Sequence, residues 1–320
     1  MVETVEPETH RARTSGGVQL GGLLWHVADA AGIVILRTPY DAQQHTAIGT
    51  SWATRGYHCL IQDVRGRYRS AGDWHPYQHE AVDGASTIAD LRARFPALPI
   101  VMFGASYAAD AALEAARGTV LGGHDAPDAI IALVPALGLA ETAWAADGSP
   151  LLEHRIAWWH EHGSARRSRS PLPPEELACR VKQATQLGVT AAARTWDWPV
   201  PVIERWNQLW SAAHIDVRSH YCSVTSPLLV ITGADDHFDA DAHRLAGDWS
   251  GPSQLVTGPW GHRLAADLQS EAARNRLRAT GGIGSIIDEW LRRRNDAHAH
   301  RRRTVYDPRR GVWHREEHAA

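Results

Sequence analysis

The residues best suited to chemistry lie in the stretch Phe103-Gly104-Ala105-Ser106-Tyr107-Ala108-Ala109, which follows the apolar run 100–103 and opens a series of small, helix-favouring residues. In that setting a G-x-S-x-G turn has mechanical meaning. The sharp turn lifts the serine hydroxyl off the end of a strand, and the next backbone N–H, on Tyr107, is left where it can bind an oxyanion. Ala108 stands where the pattern prefers glycine, a departure of one methyl. The competing reading is a serine that merely caps a helix.

Two later stretches supply what a serine would need. Gly233-Ala234-Asp235-Asp236-His237-Phe238 follows the apolar run 228–232, and Gly258-Pro259-Trp260-Gly261-His262 follows 255–257. A serine hydroxyl is a poor nucleophile until a base takes its proton. An imidazole can be that base when a carboxylate holds its other N–H. Ser106, then Asp235 or Asp236, then His262 gives the required acid and base, each after a strand and in the chain order Ser, Asp, His. Taken singly, a strand-end aspartate often caps a turn, and one histidine among 19 carries little information.

The elements that must hold these residues follow from periodicity. Short apolar runs at 33–36, 57–64, 100–103, 130–134, 228–232 and 255–257 end at glycine or proline and alternate with helical patterns at 79–95, 107–116 and 283–293. This predicts an α/β fold: a mostly parallel central sheet flanked by helices. The stretch 18–27 reads as an antiparallel edge strand. Between about 140 and 224 no strand pattern is found, only helical ones, a proline-rich stretch at 171–174 and a concentration of tryptophans. The expected organisation is a core of 15–139 and 225–294, a helical cap insertion of 140–224 and a loosely docked tail of 295–320. Within the cap, Arg166, Arg167 and Arg169 read as a solvated loop.

Composition excludes several classes. A net charge of −3 gives no broad attraction to nucleic acid or anionic lipid. No apolar run is long enough to span a bilayer, and residues 1–14 lack the apolar centre of a signal peptide. Cys59, Cys179 and Cys222 match neither a disulfide framework nor a metal motif. A cytoplasmic, cofactor-free and metal-free protein is expected.

The motifs resemble those of the cocaine esterase and X-prolyl dipeptidyl-peptidase family of α/β-hydrolases. Arg37-Thr38-Pro39-Tyr40-Asp41 is similar to its first-strand motif. Asp63-Val64-Arg65-Gly66-Arg67-Tyr68-Arg69-Ser70-Ala71-Gly72-Asp73-Trp74 is similar to its second-strand motif and is the most specific match. Gly104-Ala105-Ser106-Tyr107 matches the nucleophile turn and Gly258-Pro259-Trp260-Gly261-His262 the histidine turn. The resemblance runs from about residue 18 to 293 and is weakest across the cap. It implies the α/β-hydrolase fold. It puts the acid two residues before Phe238, at Asp236, and adds the Tyr40 hydroxyl to the Tyr107 N–H in an oxyanion hole. The 63–74 loop is expected to brace the site through Arg–carboxylate bonds. Both glycines that usually follow the Ser-Tyr pair are alanines here. Members usually carry a C-terminal β-sandwich that walls the pocket; only 305–313 would be a remnant of its first strand.

The expected reaction is hydrolysis of a small-molecule ester or amide through Ser106, Asp236 and His262, with acyl transfer or cyclisation as the related alternative. A non-catalytic binding or scaffold protein is the reading from another class, and the intact Ser, Asp, His order speaks against it. Trp144, Trp158, Trp159 and Trp260 are candidate pocket walls, and helical spacing makes Ile203, Trp206 and Trp210 a core stripe. Without a sandwich domain, the site is expected to be covered by the cap or by a second copy in a homodimer.

Overall fold

Residues 6–294 and 302–317 are described by the structure, a computed structural model. Among these residues ten strands form one sheet: β1 (Glu8–Arg13), β2 (Gln19–Trp25), β3 (Ile33–Thr38), β4 (His58–Asp63), β5 (Ile100–Ala105), β6 (Ala129–Leu133), β7 (Leu228–Gly233), β8 (Ser253–Gly258), β9 (Arg302–Asp307) and β10 (Val312–Glu317). Their order is β1-β2-β4-β3-β5-β6-β7-β8-β9-β10. The ladder is parallel from β4 through β9, with antiparallel pairs β1–β2 and β2–β4 at one end and β9–β10 at the other. Parallel strands all end on one side of the sheet, so loops following β5, β7 and β8 meet there.

The central strands are buried on both faces, which is why they read as unbroken apolar runs. Along β3, Ile33 and Ile35 enter one core cluster while Val34 and Leu36 enter the other. The sheet is covered by α1 (Thr46–Thr54), α2 (Glu80–Arg94) and α3 (Tyr107–Leu121), and later by α10 (Asp239–Asp248), α11 (Glu271–Ala279) and α12 (Gly282–Arg293). Between these lie α4 (Leu139–Ala143), α5 (Leu152–His162), α6 (Pro174–Leu187), α7 (Val189–Ala193), α8 (Val200–Ser211) and α9 (Val217–His220). The small residues of α3 allow close packing: a Cβ on Gly84 of α2 would lie 2.2 Å from the Ala115 Cβ.

Two expectations about the ends of the chain need correction. The stretch 18–27 supplies β2, but β2 is not the edge, because β1 pairs outside it. The tail is not loosely docked where it is described: 302–317 adds β9 and β10 to the sheet, and Tyr306 is buried against Trp260 with Trp313 beside them. Residues 295–301 and 318–320 of that expected tail lie outside the described residues. β1, and β10 over its described side chains, are mostly exposed and rich in charge, so they carry no apolar run to read. All three cysteines are free, and among the described residues no helix is long and apolar enough to cross a membrane.

Below the parallel strand ends, a buried polar layer fixes the first-strand motif. Arg37 is fully buried and bonds Glu80 at 2.8 Å, the Glu80 carbonyl at 3.0 Å and Gln62 at 3.1 Å. Arg65 pairs with the buried Asp83 from the other side. Burial raises the pKa of Glu80, and the adjacent Arg37 cation opposes this. A second bond ties this layer to α3, since the Tyr107 hydroxyl donates to Glu80 at 2.7 Å.

Candidate active site

Ser106 occupies the turn between β5 and α3 with φ 56° and ψ −122°. A positive φ is costly for a residue with a side chain, and such strain persists only where its surroundings enforce it. Here the Ser106 N–H donates to the Leu133 carbonyl at 2.9 Å, and its own carbonyl accepts from Ala109 at 3.0 Å. Gly104 is required because a Cβ there would lie 2.1 Å from the Ala108 carbonyl oxygen. Ala108 itself fits, buried in the core. Tyr107 opens α3, so its N–H is among the donors that no helical carbonyl takes.

The acid and base meet in the loops after β7 and β8. Asp236 is buried, and its Oδ1 lies 2.9 Å from Nδ1 of the half-buried His262. That leaves Nε2 as the nitrogen for proton transfer. Asp235, the rival for the acid, is exposed, and its N–H is spent on the Trp260 carbonyl. Its neighbour His237 places Nδ1 3.4 Å from the same Asp236 oxygen, with its ring 4.6 Å from that of His262. Asp236, His237 and His262 each present one ligand atom within 4.8 Å of the others, a spacing that could also receive a divalent cation.

His237 makes the fold acid-sensitive. Burial, reinforced by the adjacent His262, pushes its pKa down from 6.5 to about 4. Between those values the unfolded chain binds a proton that the folded chain does not, so stability falls as pH drops from 6.5 towards 4. His237→Gln should flatten that part of the stability curve by close to one proton, measured by urea unfolding from pH 7 to 4. An unchanged slope would mean that the acid loss has another origin.

The cap helix α5 crosses over the site and links its two ends. Trp158 Nε1 donates to the Tyr40 hydroxyl at 2.8 Å, which leaves the phenol's own O–H free to donate. The Trp158 ring stacks on that of Tyr107, with centroids 6.0 Å apart and planes 8° apart. One turn earlier, His154 lies 4.1 Å from the His237 ring and 6.0 Å from that of His262. Arg155 points between these ends, its Cζ 5.5 Å from the Trp158 ring centre. Sequence reading found Trp158 through the tryptophan density but missed His154, Arg155, His237 and Tyr77, whose hydroxyl bonds Arg155 and whose N–H donates to the Tyr107 hydroxyl at 2.8 Å. The i, i+4 pair His154 and Trp158 was the available signal.

The other candidate pocket walls divide. Trp144 is half-buried and packs edge-on to Trp210 at 5.3 Å. Trp159 is fully buried in the cap core against Trp206, where it acts as filler. Trp260 is a correction. It is fully buried beneath the histidine turn, its Nε1 bonded to the Thr232 carbonyl at 2.9 Å, and packs on Tyr306. It supports His262 from below and has no face left for a substrate.

The 63–74 loop braces the site as expected through two of its arginines and differs at the third. Arg65 and Arg69 do bond carboxylates, those of Asp83, Asp41 and Asp63. Arg67, fully buried, instead bonds the Pro39 carbonyl at 2.8 Å, Ser168 Oγ at 2.9 Å and the Ala165 carbonyl. It clamps the cap to the Tyr40 turn. Arg166 of the cap bonds the Tyr68 carbonyl at 2.9 Å and accepts from its N–H at 3.0 Å. That cap loop is therefore docked at Arg166, not wholly solvated.

A mostly parallel sheet flanked by helices, with a serine on a strained turn after its fifth strand, defines the α/β-hydrolase fold. The chain belongs to the X-Pro dipeptidyl-peptidase (S15) family, whose sequence model matches residues 26–263. It is 27% identical over 258 residues to a cocaine esterase of Rhodococcus sp. (strain MB1 Bresler), covering 72% of this chain and 44% of that protein. An aminopeptidase of a marine-sediment Thaumarchaeota archaeon superposes with a TM-score of 0.70 at 17% identity, over 98% of this chain and 59% of that one. An α-amino acid ester hydrolase gives 0.64 at 16%, with the same coverages. A Pyrococcus furiosus esterase gives 0.56 at 16%, over 90% of this chain and 92% of that one. The chain thus spans about half the length of the first relatives it matches.

Proposed function

We propose that this hydrolase cleaves an ester or amide through an acyl-enzyme formed on Ser106. The observation that carries the reading is the buried Asp236 bonded to His262 Nδ1, on the same side of the sheet as a serine held at positive φ. In this mechanism His262 takes the Ser106 proton as Oγ attacks the carbonyl carbon, then delivers it to the leaving alcohol or amine. Asp236 holds the imidazole in the productive tautomer and stabilises its cation. Water, activated by the same histidine, releases the acid and restores the serine. The Tyr107 N–H and the Tyr40 O–H stabilise the oxyanion. The relatives' names, an esterase and an aminopeptidase among them, are compatible with both bond types.

A fluorophosphonate probe read by intact mass tests the proposal. A single adduct on wild-type protein, absent in Ser106→Ala, is the expected result, and no adduct on folded wild type would sink it. Tyr40 has a separate test. A donor to the oxyanion gains strength only as charge develops, so Tyr40→Phe should lower kcat on the order of 10²-fold with little change in KM. Steady-state kinetics on a neutral ester would return Tyr40 to packing if kcat held.

A further inference from the structure

Arg155 is a buried cation without an anion. It is 2% exposed. Among the described residues no carboxylate oxygen lies within salt-bridge distance of it, and Nε and Nη1 meet no acceptor. Its neighbours are a neutral histidine nitrogen, His154 Nδ1 at 3.0 Å, the Trp158 ring face, the Tyr77 hydroxyl, with which it shares a hydrogen bond, and the Tyr40 hydroxyl. Burial holds both tyrosines above their usual pKa, so neither supplies a negative charge at neutral pH. Other buried arginines of this chain are treated differently: Arg37 has Glu80, and Arg67 has two backbone carbonyls and a serine hydroxyl.

A guanidinium removed from water is costly unless an opposite charge or a full set of acceptors replaces its hydration. The π face of Trp158 offsets only part of that cost. The position of Arg155 indicates where the missing partner comes from. Through Trp158 it adjoins Tyr40, the candidate oxyanion donor. Through His154 it adjoins His237 and His262, at the proton-transfer end. Arg155 therefore sits between the two halves of the site, with unused N–H donors and no protein anion to take them.

We propose that Arg155 binds a carboxylate carried by the substrate, so that the preferred substrates are esters or amides bearing a negative charge near the scissile bond. This rests on the serine-hydrolase reading above and adds the substrate class to it. The charge would complete the guanidinium's partners only when substrate is bound, which turns an unfavourable free site into selectivity for an anion. It would also explain why the residue sits on the cap: the 63–74 loop and Arg67 fix α5 over the site, so the cation is delivered in one place.

The test uses matched pairs on full-length protein. Two fluorophosphonates of equal chain length, one ending in a carboxylate and the other in its methyl ester, report an anion on the acyl side through their labelling rates at Ser106. The pair 3-acetoxybenzoate and methyl 3-acetoxybenzoate reports an anion on the leaving group through kcat/KM. In one of the two pairs the charged member should react on the order of 10²-fold faster with wild type, the scale of a buried charge pair. That ratio should collapse in Arg155→Met and be partly restored in Arg155→Lys. A wild-type ratio at or below one in both pairs overturns the proposal, and this result needs no variant to fold. A ratio that survives Arg155→Met overturns it as well, and would assign the preference to another cation. Labelling by the neutral probe separates the two readings: if it fails on folded wild type, the nucleophile assignment is wrong, whereas neutral labelling without charge preference refutes Arg155 alone.

Discussion

Ser106→Ala is expected to lower turnover of any ester substrate by roughly 10⁴- to 10⁶-fold, because members of a triad act as a unit and the remainder comes from the oxyanion donors and binding. The fold should survive. The bonds that hold the turn at positive φ are backbone bonds, from the Ser106 N–H to Leu133 and from Ala109 to the Ser106 carbonyl, and alanine keeps both. Pre-steady-state kinetics with a chromogenic ester in excess should lose its burst, while the unfolding midpoint stays close to wild type. A variant that kept near-normal rates would move the nucleophile elsewhere and leave Ser106 as a helix cap.

The second large effect separates two adjacent aspartates. Asp236→Asn should reduce kcat by about 10⁴-fold, because an amide can present N–H to His262 Nδ1 and favour the wrong tautomer. Its shape is unchanged, so packing against the buried site is retained. Asp235→Asn should stay within a few-fold of wild type, because that side chain is exposed and only its backbone N–H reaches the histidine turn. Measuring kcat for both at one pH decides the assignment, and equal losses would contradict it.

The sheet and the three loop residues were legible because burial writes itself into sequence. Strands enclosed on both faces carry apolar runs, 33–36 in β3 and 100–103 in β5, and the β5 turn needs glycine at a fixed place. Asp236 was separable from Asp235 only by family resemblance, since nothing local tells a buried aspartate from its exposed neighbour. The outermost strands escaped for the opposite reason, although β2 was read: β1 buries only His10 and Ala12 of its six residues, so no run announces it. The cap's role was hidden at another level. That Arg155 falls between Tyr40 and His262 depends on how α5 crosses the sheet ends, a relation fixed by Arg67 and Trp74 bonding to cap residues about 90 to 100 positions away. Periodicity reports a helix, not what it faces.

The charged outer strands bear on how copies of the molecule can meet. Among the described residues no strand pairs outside β1 or β10, a rim that invites another strand to add on, and Glu8, Arg11 and Arg13 on β1, with Arg315 on β10, put charge along both. Continuation of the ladder from one molecule into the next would force these polar and charged groups out of water against their counterparts. Crowded solutions of the protein are thus protected from fibre-like growth along the strand-pairing direction, and a homodimer, if one forms, would use a helical face.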